Sequence, residues 1–263
     1  IHILRNVYYD AIGDLFSHIK TNIPQVDFNN YNIVKLGFWP GGDRDGNPFV
    51  TTEMTDQVAD ELRTTLMKCY YKDLKALHQK LSFTAIQEPL IGLRKALYNS
   101  MFNPNELVSY DFLVGELQKI KDLLVSKYFG LYLKELDALI DKVKIFKTHF
   151  ATLDIRQDHS IHFNSITAIL KHAGVIKESL EELSPDELTE KLLHLDLDVQ
   201  PEEFEDPLVS DTLKNIRNLK KIQARNGQDG CNRYIISNSE DKFSVLFVWA
   251  LFRWSGYKEA DIH

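Results

Sequence analysis

The stretch His149-Phe150-Ala151-Thr152-Leu153-Asp154-Ile155-Arg156-Gln157 breaks the pattern of the chain around it. From Phe150 to Ile155 it is apolar and β-prone apart from Asp154, and it ends abruptly in charge. That is how a strand buried on both faces reads, in contrast to the 3.6-residue spacing on either side. Working outward, Ile33 to Trp39 is a second short apolar run, which gives way to Pro40-Gly41-Gly42. Arg233-Tyr234-Ile235-Ile236-Ser237 is a third. Each run is followed by a helical pattern and lies 30 or more residues from the next, the rhythm of parallel βα units rather than hairpins. A closed β/α barrel needs eight strands. The expected fold is therefore mainly α with a partial parallel β/α barrel, about three of eight strands plus surrounding helices.

The rest of the chain supplies those helices. Leu4, Val7, Tyr8, Ala11, Ile12 and Leu15 already stand at helical spacing, and the sequence does not begin with Met, so it reads as an excised piece. Thr51 or Thr52 is placed to cap a helix with Glu53 in its first turn, and Val58, Leu62, Leu66, Tyr70 and Leu74 share its apolar face. Pro89 and Pro104 punctuate the next stretches, and a long pattern from Tyr110 to Ile145 is expected to break near Gly130. Helices are also expected over Ser160 to Ala173, ended by Gly174, and over Leu208 to Arg225, ended by Asn226-Gly227. A final helix from Asp241 to Ser255 is apolar nearly all round and calls for burial.

Composition narrows the function. The 263 residues hold 31 Lys and Arg against 38 Asp and Glu, a formal charge of −7, with 44% apolar residues. The acidity is local: Lys177 to Asp206 carries 12 acids and two bases, reads as an acidic surface segment or insertion, and leaves the remainder mildly positive. No continuous basic face suited to nucleic acid follows from this balance. No apolar run is long enough to span a membrane. Cys69 and Cys231 lie far apart without a cysteine framework, and fit free thiols of a cytoplasmic protein.

Chemistry in parallel β/α folds gathers at the C-terminal ends of strands. After the first strand comes Gly41-Gly42-Asp43-Arg44-Asp45-Gly46-Asn47-Pro48, in which glycines allow tight turning and two acids flank one arginine. Such a loop either positions Arg44 for an anion, or its own acids lock Arg44 in a structural ion pair. Alternation along the second strand puts Asp154 and Arg156 on one side, as parts of an anion site or as a buried pair bracing the barrel. His159 and His162 are three apart at a helix start, without the further ligands that a metal site needs. No phosphate loop, dinucleotide fingerprint or nucleophile elbow is present.

These strand ends resemble a known family. Gly37-Phe38-Trp39-Pro40-Gly41-Gly42-Asp43-Arg44-Asp45-Gly46-Asn47-Pro48, with Val50-Thr51 behind it, is similar to the GGDRDGNP signature of the phosphoenolpyruvate carboxylases. Leu153-Asp154-Ile155-Arg156-Gln157 resembles that family's LDIRQ segment, and Tyr234-Ile235-Ile236-Ser237 its following strand. The three occur in the family's order and cover nearly the whole chain. The resemblance implies a cytoplasmic, usually tetrameric lyase that joins bicarbonate to phosphoenolpyruvate with magnesium or manganese. The products are phosphate and oxaloacetate, which feeds the tricarboxylic acid cycle. It also implies that Arg156 is the active-site arginine, that Asp154 orients it, and that Asp43, Arg44, Asp45 and Asn47 line the same mouth.

The family's TAHPT histidine motif, metal-binding carboxylates and HGRGG loop match nothing here, so no metal ligand is expected in this chain. The expectation is a single central segment, residues 1–263, of a longer carboxylase, inactive on its own. The alternative is a non-catalytic helical module that binds anions or assembles with partners. Where family members read RQESxRH, this chain has Arg156-Gln157-Asp158-His159-Ser160-Ile161-His162, with Ile161 in place of an arginine. Trp39-Pro40 stiffens the approach to the double glycine.

Overall fold

Residues 1–23, 31–47 and 49–258 are described in the computed structural model; Pro48 of the glycine-rich loop lies outside them. The chain is mainly helical and divides into two units. The first comprises Ile1–Gly37, Ala59–Thr152 and Arg225–Gly230, and the second Phe38–Val58, Leu153–Ala224 and Cys231–His263.

The first unit holds a π turn over Leu4–Tyr8, α1 (Tyr9–Asn22), most of α2 (Thr52–Lys80), α3 (Thr84–Phe102), α4 (Tyr110–Tyr128) and α5 (Leu133–Phe146). α3 packs on α4, α4 on α5 and α5 on α1. The apolar residues predicted to share a face, among them Leu62, Leu66, Tyr70, Leu74, Leu113, Leu117, Ile120 and Leu124, are buried in this unit's core. The expected break near Gly130 is a tight turn in which Phe129, Gly130 and Tyr132 all have positive φ, so α4 and α5 run as two packed helices. Pro89 does not punctuate. It sits in the second turn of α3, where the helix does without one amide.

The second unit holds the strands' chemistry-bearing ends together with α6 (His159–His172), α7 (Pro185–His194), α8 (Pro207–Asn226, its last turn apart) and α9 (Lys242–Trp254). The strands are β1 (Gly37–Phe38), β2 (Thr152–Leu153), β3 (Ile155–Asp158) and β4 (Tyr234–Ser237). They are shorter than the apolar runs suggested, and the second is shifted two residues toward the C-terminus. β1 pairs with β2, and β3 pairs in parallel with β4 in the register Ile155↔Tyr234 to Asp158↔Ser237. α6 packs on β3 and α9, and α7 on α9.

The acidic stretch is folded into this unit. It forms α7 flanked by single turns at Leu180–Glu182 and Pro201–Glu203, with Leu180, Leu188, Leu192 and Val199 buried and the carboxylates turned outward. α9 is covered only in part: Phe247, Leu251, Phe252 and Trp254 are buried, while Val245 is exposed. Trp254 Nε1 donates to the Leu195 carbonyl at 2.9 Å, which ties α9 to the end of the acidic segment.

Candidate active site

The extended segment around Asp154 is bonded on both flanks. On one side the Asp154 amide donates to the Phe38 carbonyl at 3.0 Å and the Arg156 amide to the Gly42 carbonyl at 2.9 Å. The Arg44 amide donates in turn to the Arg156 carbonyl at 2.8 Å, so Asp43 and Arg156 form a parallel bridge. Between Phe38 and Gly42 the chain bulges, with the Gly42 and Asp43 amides both donating to the Trp39 carbonyl. The bulge needs its glycines. Gly41 has φ +87°, and a Cβ on Gly42 would stand 2.0 Å from the Asp154 carbonyl oxygen. The loop re-enters alignment one residue before its charged run, which sets Asp43 and Asp45 beside Arg156.

Arg156 is held by those two carboxylates. Its Nη2 donates to Asp45 Oδ2 at 2.6 Å, and its Nε lies 3.0 Å from Asp43 Oδ1, an ion pair too bent to count as a hydrogen bond. The Trp39 ring lies 5.2 Å from the guanidinium carbon, within cation–π range. The side chain keeps 28% exposure, enough to meet a ligand.

Asp154 does not pair with Arg156 as the alternation suggested. Its buried carboxylate accepts from Arg233 Nε at 2.7 Å and from Trp39 Nε1 at 3.2 Å. Sequence reasoning puts the two side chains on one side of the strand but does not see that Arg233 and Trp39 reach Asp154 first. Trp39 stands between the two, its indole N–H on Asp154 and its ring beside the Arg156 guanidinium.

Arg44 is held in an ion pair, but not by its own loop's acids, which both go to Arg156. It is buried and bonded to Asp211 of α8, which also accepts from the Thr52 amide at 3.2 Å. Thr51 caps α2 as expected, its hydroxyl accepting from the Met54 amide at 3.3 Å. Asn47 takes a structural part, its amide donating to the Arg44 carbonyl and its side-chain oxygen accepting from the Phe49 amide at 3.1 Å. Asp211 and Arg233 carry no motif. One lies in an ordinary amphipathic helix and the other just ahead of a strand, so only the fold reveals them.

A cleft of about 390 Å³ opens beside this cluster, walled by Arg44, Asp45, Gly46, Asn47, Gln157 and Asp158, with Ile161 and Asp211 also facing it. Asp158 caps α6, accepting from the Ser160 amide at 2.7 Å. The two histidines do not converge on a metal. His162 is fully buried with Nε2 2.9 Å from the Tyr234 hydroxyl, while the His159 ring stacks on Phe247. Burial pushes the His162 imidazole down to about 4, and raises the Tyr234 hydroxyl. Among the described residues no group of three or more His, Cys, Asp or Glu could hold a metal ion, and the nearest acids, Asp43 and Asp45, are taken up by Arg156. This donor set does not fit a divalent metal. Both cysteines are free and buried, and burial raises the Cys69 thiol to about 11 and the Cys231 thiol to about 12, which makes them inert. Among the described residues no helix is long and apolar enough to cross a membrane.

Comparison with known proteins agrees with the motifs. The phosphoenolpyruvate carboxylase family model matches residues 1–106 and 94–262. A phosphoenolpyruvate carboxylase of Synechocystis is 27% identical over 320 residues, covering 97% of this chain and 30% of that protein. Those of Thermosynechococcus vestitus and Vibrio vulnificus are 27% and 26% identical over 94% and 97% of the chain. The chain thus spans about a third of the length of these relatives. With nearly every residue inside the matched family, and the matched signatures forming one bonded cluster around Arg156, the chain belongs to the phosphoenolpyruvate carboxylase family.

Proposed function

We propose that this chain is a central segment of a phosphoenolpyruvate carboxylase and contributes Arg156 to the grip on the substrate's phosphoryl group. In that reaction bicarbonate attacks the phosphoryl group to give carboxyphosphate and an enolate, the carboxyphosphate splits into carbon dioxide and phosphate, and the enolate takes up the carbon dioxide to form oxaloacetate. Every species is anionic, so cationic charge has to be fixed in place beforehand. The observation that carries the reading is the setting of Arg156 in the parallel strand β3, part-exposed, braced by Asp43, Asp45 and Trp39. Asp154 steadies the indole and Arg44 the loop; Asn47 shapes the loop tip.

The finer fold belongs to the same proposal. β1, the segment of β2 and β3 taken together, and β4 are three parallel strand positions of a β/α barrel, each leading into helix, whose other strands lie in the longer protein. Magnesium or manganese would serve the reaction from carboxylates outside these residues. The longer protein is a cytoplasmic homotetramer on this reading, and these 263 residues alone are inactive.

The test is carboxylation measured with phosphoenolpyruvate, bicarbonate and magnesium, on this chain and on the longer protein. We expect oxaloacetate only from the longer protein, and a loss of at least about a hundredfold for Arg156→Gln with the fold retained. A longer protein that is folded but inert would favour an anion-binding or assembly module, and full activity in Arg156→Gln would remove Arg156 from the site.

A further inference from the structure

Arg156 faces more negative charge than it can neutralise: two loop carboxylates meet one guanidinium, which leaves the cluster one charge negative before any substrate arrives. A bidentate grip on a phosphoryl group uses two parallel N–H groups of the guanidinium fork. Nη2, one prong of that fork, is already donating to Asp45, while Trp39 covers one face. We infer that Asp45 is a built-in competitor for the anion position on Arg156, and that phosphoryl binding displaces it. The inference rests on the reading of Arg156 as a phosphoryl-binding group and adds a residue that sets its affinity.

Among its described residues the loop leaves room for such a displacement at one place. Gly42 is pressed against the Asp154 carbonyl, and Arg44 is fixed twice, by its amide on Arg156 and its side chain on Asp211. Both residues stay put. Downstream, Gly46 has φ +64° with no atom of the described residues within 4 Å of where a Cβ would be, and Asp45, Gly46 and Asn47 wall the cleft of about 390 Å³. Asp45 can therefore leave Nη2 and turn toward open space without moving its neighbour. Asp43 differs: it lies in the bridged position opposite Arg156, and its contact is a bent ion pair.

The experiment is calorimetric titration of the 263-residue chain with inorganic phosphate and, separately, with phosphoenolpyruvate, at low ionic strength. Asp45→Asn is expected to bind both about tenfold more tightly than the wild type, as one charge-assisted competitor is removed. Asp43→Asn should gain less, and Arg156→Gln in the Asp45→Asn background should lose the binding. Wild-type binding with an unchanged or weaker Asp45→Asn would overturn the inference and leave Arg156 as the phosphoryl group's partner. Absence of binding in every variant, each shown folded by its melting curve, would overturn the inference, and the loss of activity in Arg156→Gln of the longer protein judges the reading of Arg156 separately. Should Asp45→Asn fail to fold, the wild type still decides. The Asp45 carboxyl carbon resonance must move as phosphate is added, and one that stays fixed while phosphate binds refutes displacement.

Discussion

A single methyl group at Gly42 would pull the site apart. It would stand 2.0 Å from the Asp154 carbonyl oxygen and 3.0 Å from its carbon, both backbone atoms of the strand that carries Arg156, so neither side can yield cheaply. Gly42→Ala is expected to cost at least about 3 kcal/mol, read as a fall in the urea midpoint, with the loss of any phosphate binding at Arg156. Gly46→Ala provides the contrast. Its Cβ would meet nothing among the described residues, and the left-handed backbone at φ +64° resists it, for about 1 kcal/mol. Similar losses for the two would mean that the close approach at Gly42 is not what holds the loop.

Among the elements, the joint between the glycine-rich loop and α8 is the one the site depends on. Arg44 is 6% exposed and Asp211 25%, and Asp211 also takes the Thr52 amide at the start of α2. Asp211→Ala would leave a buried guanidinium without its counter-charge, and about 3 kcal/mol of stability should go with it. Asp211→Glu should restore part of this, and a variant as stable as the wild type would mean that the loop is held by its backbone alone. This joint also marks where reading from sequence stops. The glycine-rich loop, the LDIRQ strand and its helix are legible because each is local: glycines, alternation and caps declare themselves within ten residues. The helix boundaries around Gly130, Gly174 and Gly227 are legible for the same reason, each glycine taking positive φ. The bonding within the site is not local. Asp211 lies 167 residues from Arg44, Asp45 111 from Arg156, and Trp39 115 from Asp154, so which acid meets which base is decided only by folding. Alternation placed Asp154 and Arg156 on the same side, but it gave no ranking of their distant competitors.

For the molecule as a whole, two buried imidazoles, one in each unit, are expected to lower its stability in acid. In the second unit His162 is enclosed by α6 and β4. Burial lowers it to about 4, with His159 and Arg44 pushing the same way and Asp158 against. In the first unit His149 is lowered to about 4 by burial, helped by Lys147 and Lys35 and opposed by Asp229. Each therefore binds its proton more weakly in the folded chain than in the unfolded one, where the value returns to 6.5. The sign follows: between pH 6.5 and 4 the unfolded chain holds more protons, so stability is complete above 6.5 and drains away as the pH falls toward 4. Each histidine is expected to take about 3 kcal/mol across that window. Paired carboxylates such as Asp229, itself lowered by the Lys147 ammonium, add their own loss only at lower pH. Urea unfolding at half-unit steps from pH 8 to 4 would measure the slope. His162→Gln keeps a polar group for the Tyr234 hydroxyl but cannot take up a proton, so its curve should be flatter than the wild type's below pH 6.5, even where its stability at pH 8 is lower. Parallel curves would mean that His162 is already protonated in the fold, or that acid opens the first unit before the second unit's histidine is reached. His149→Gln separates these two cases: if the first unit opens first, this variant alone flattens the slope, and if neither variant does, both imidazoles carry their protons in the folded chain.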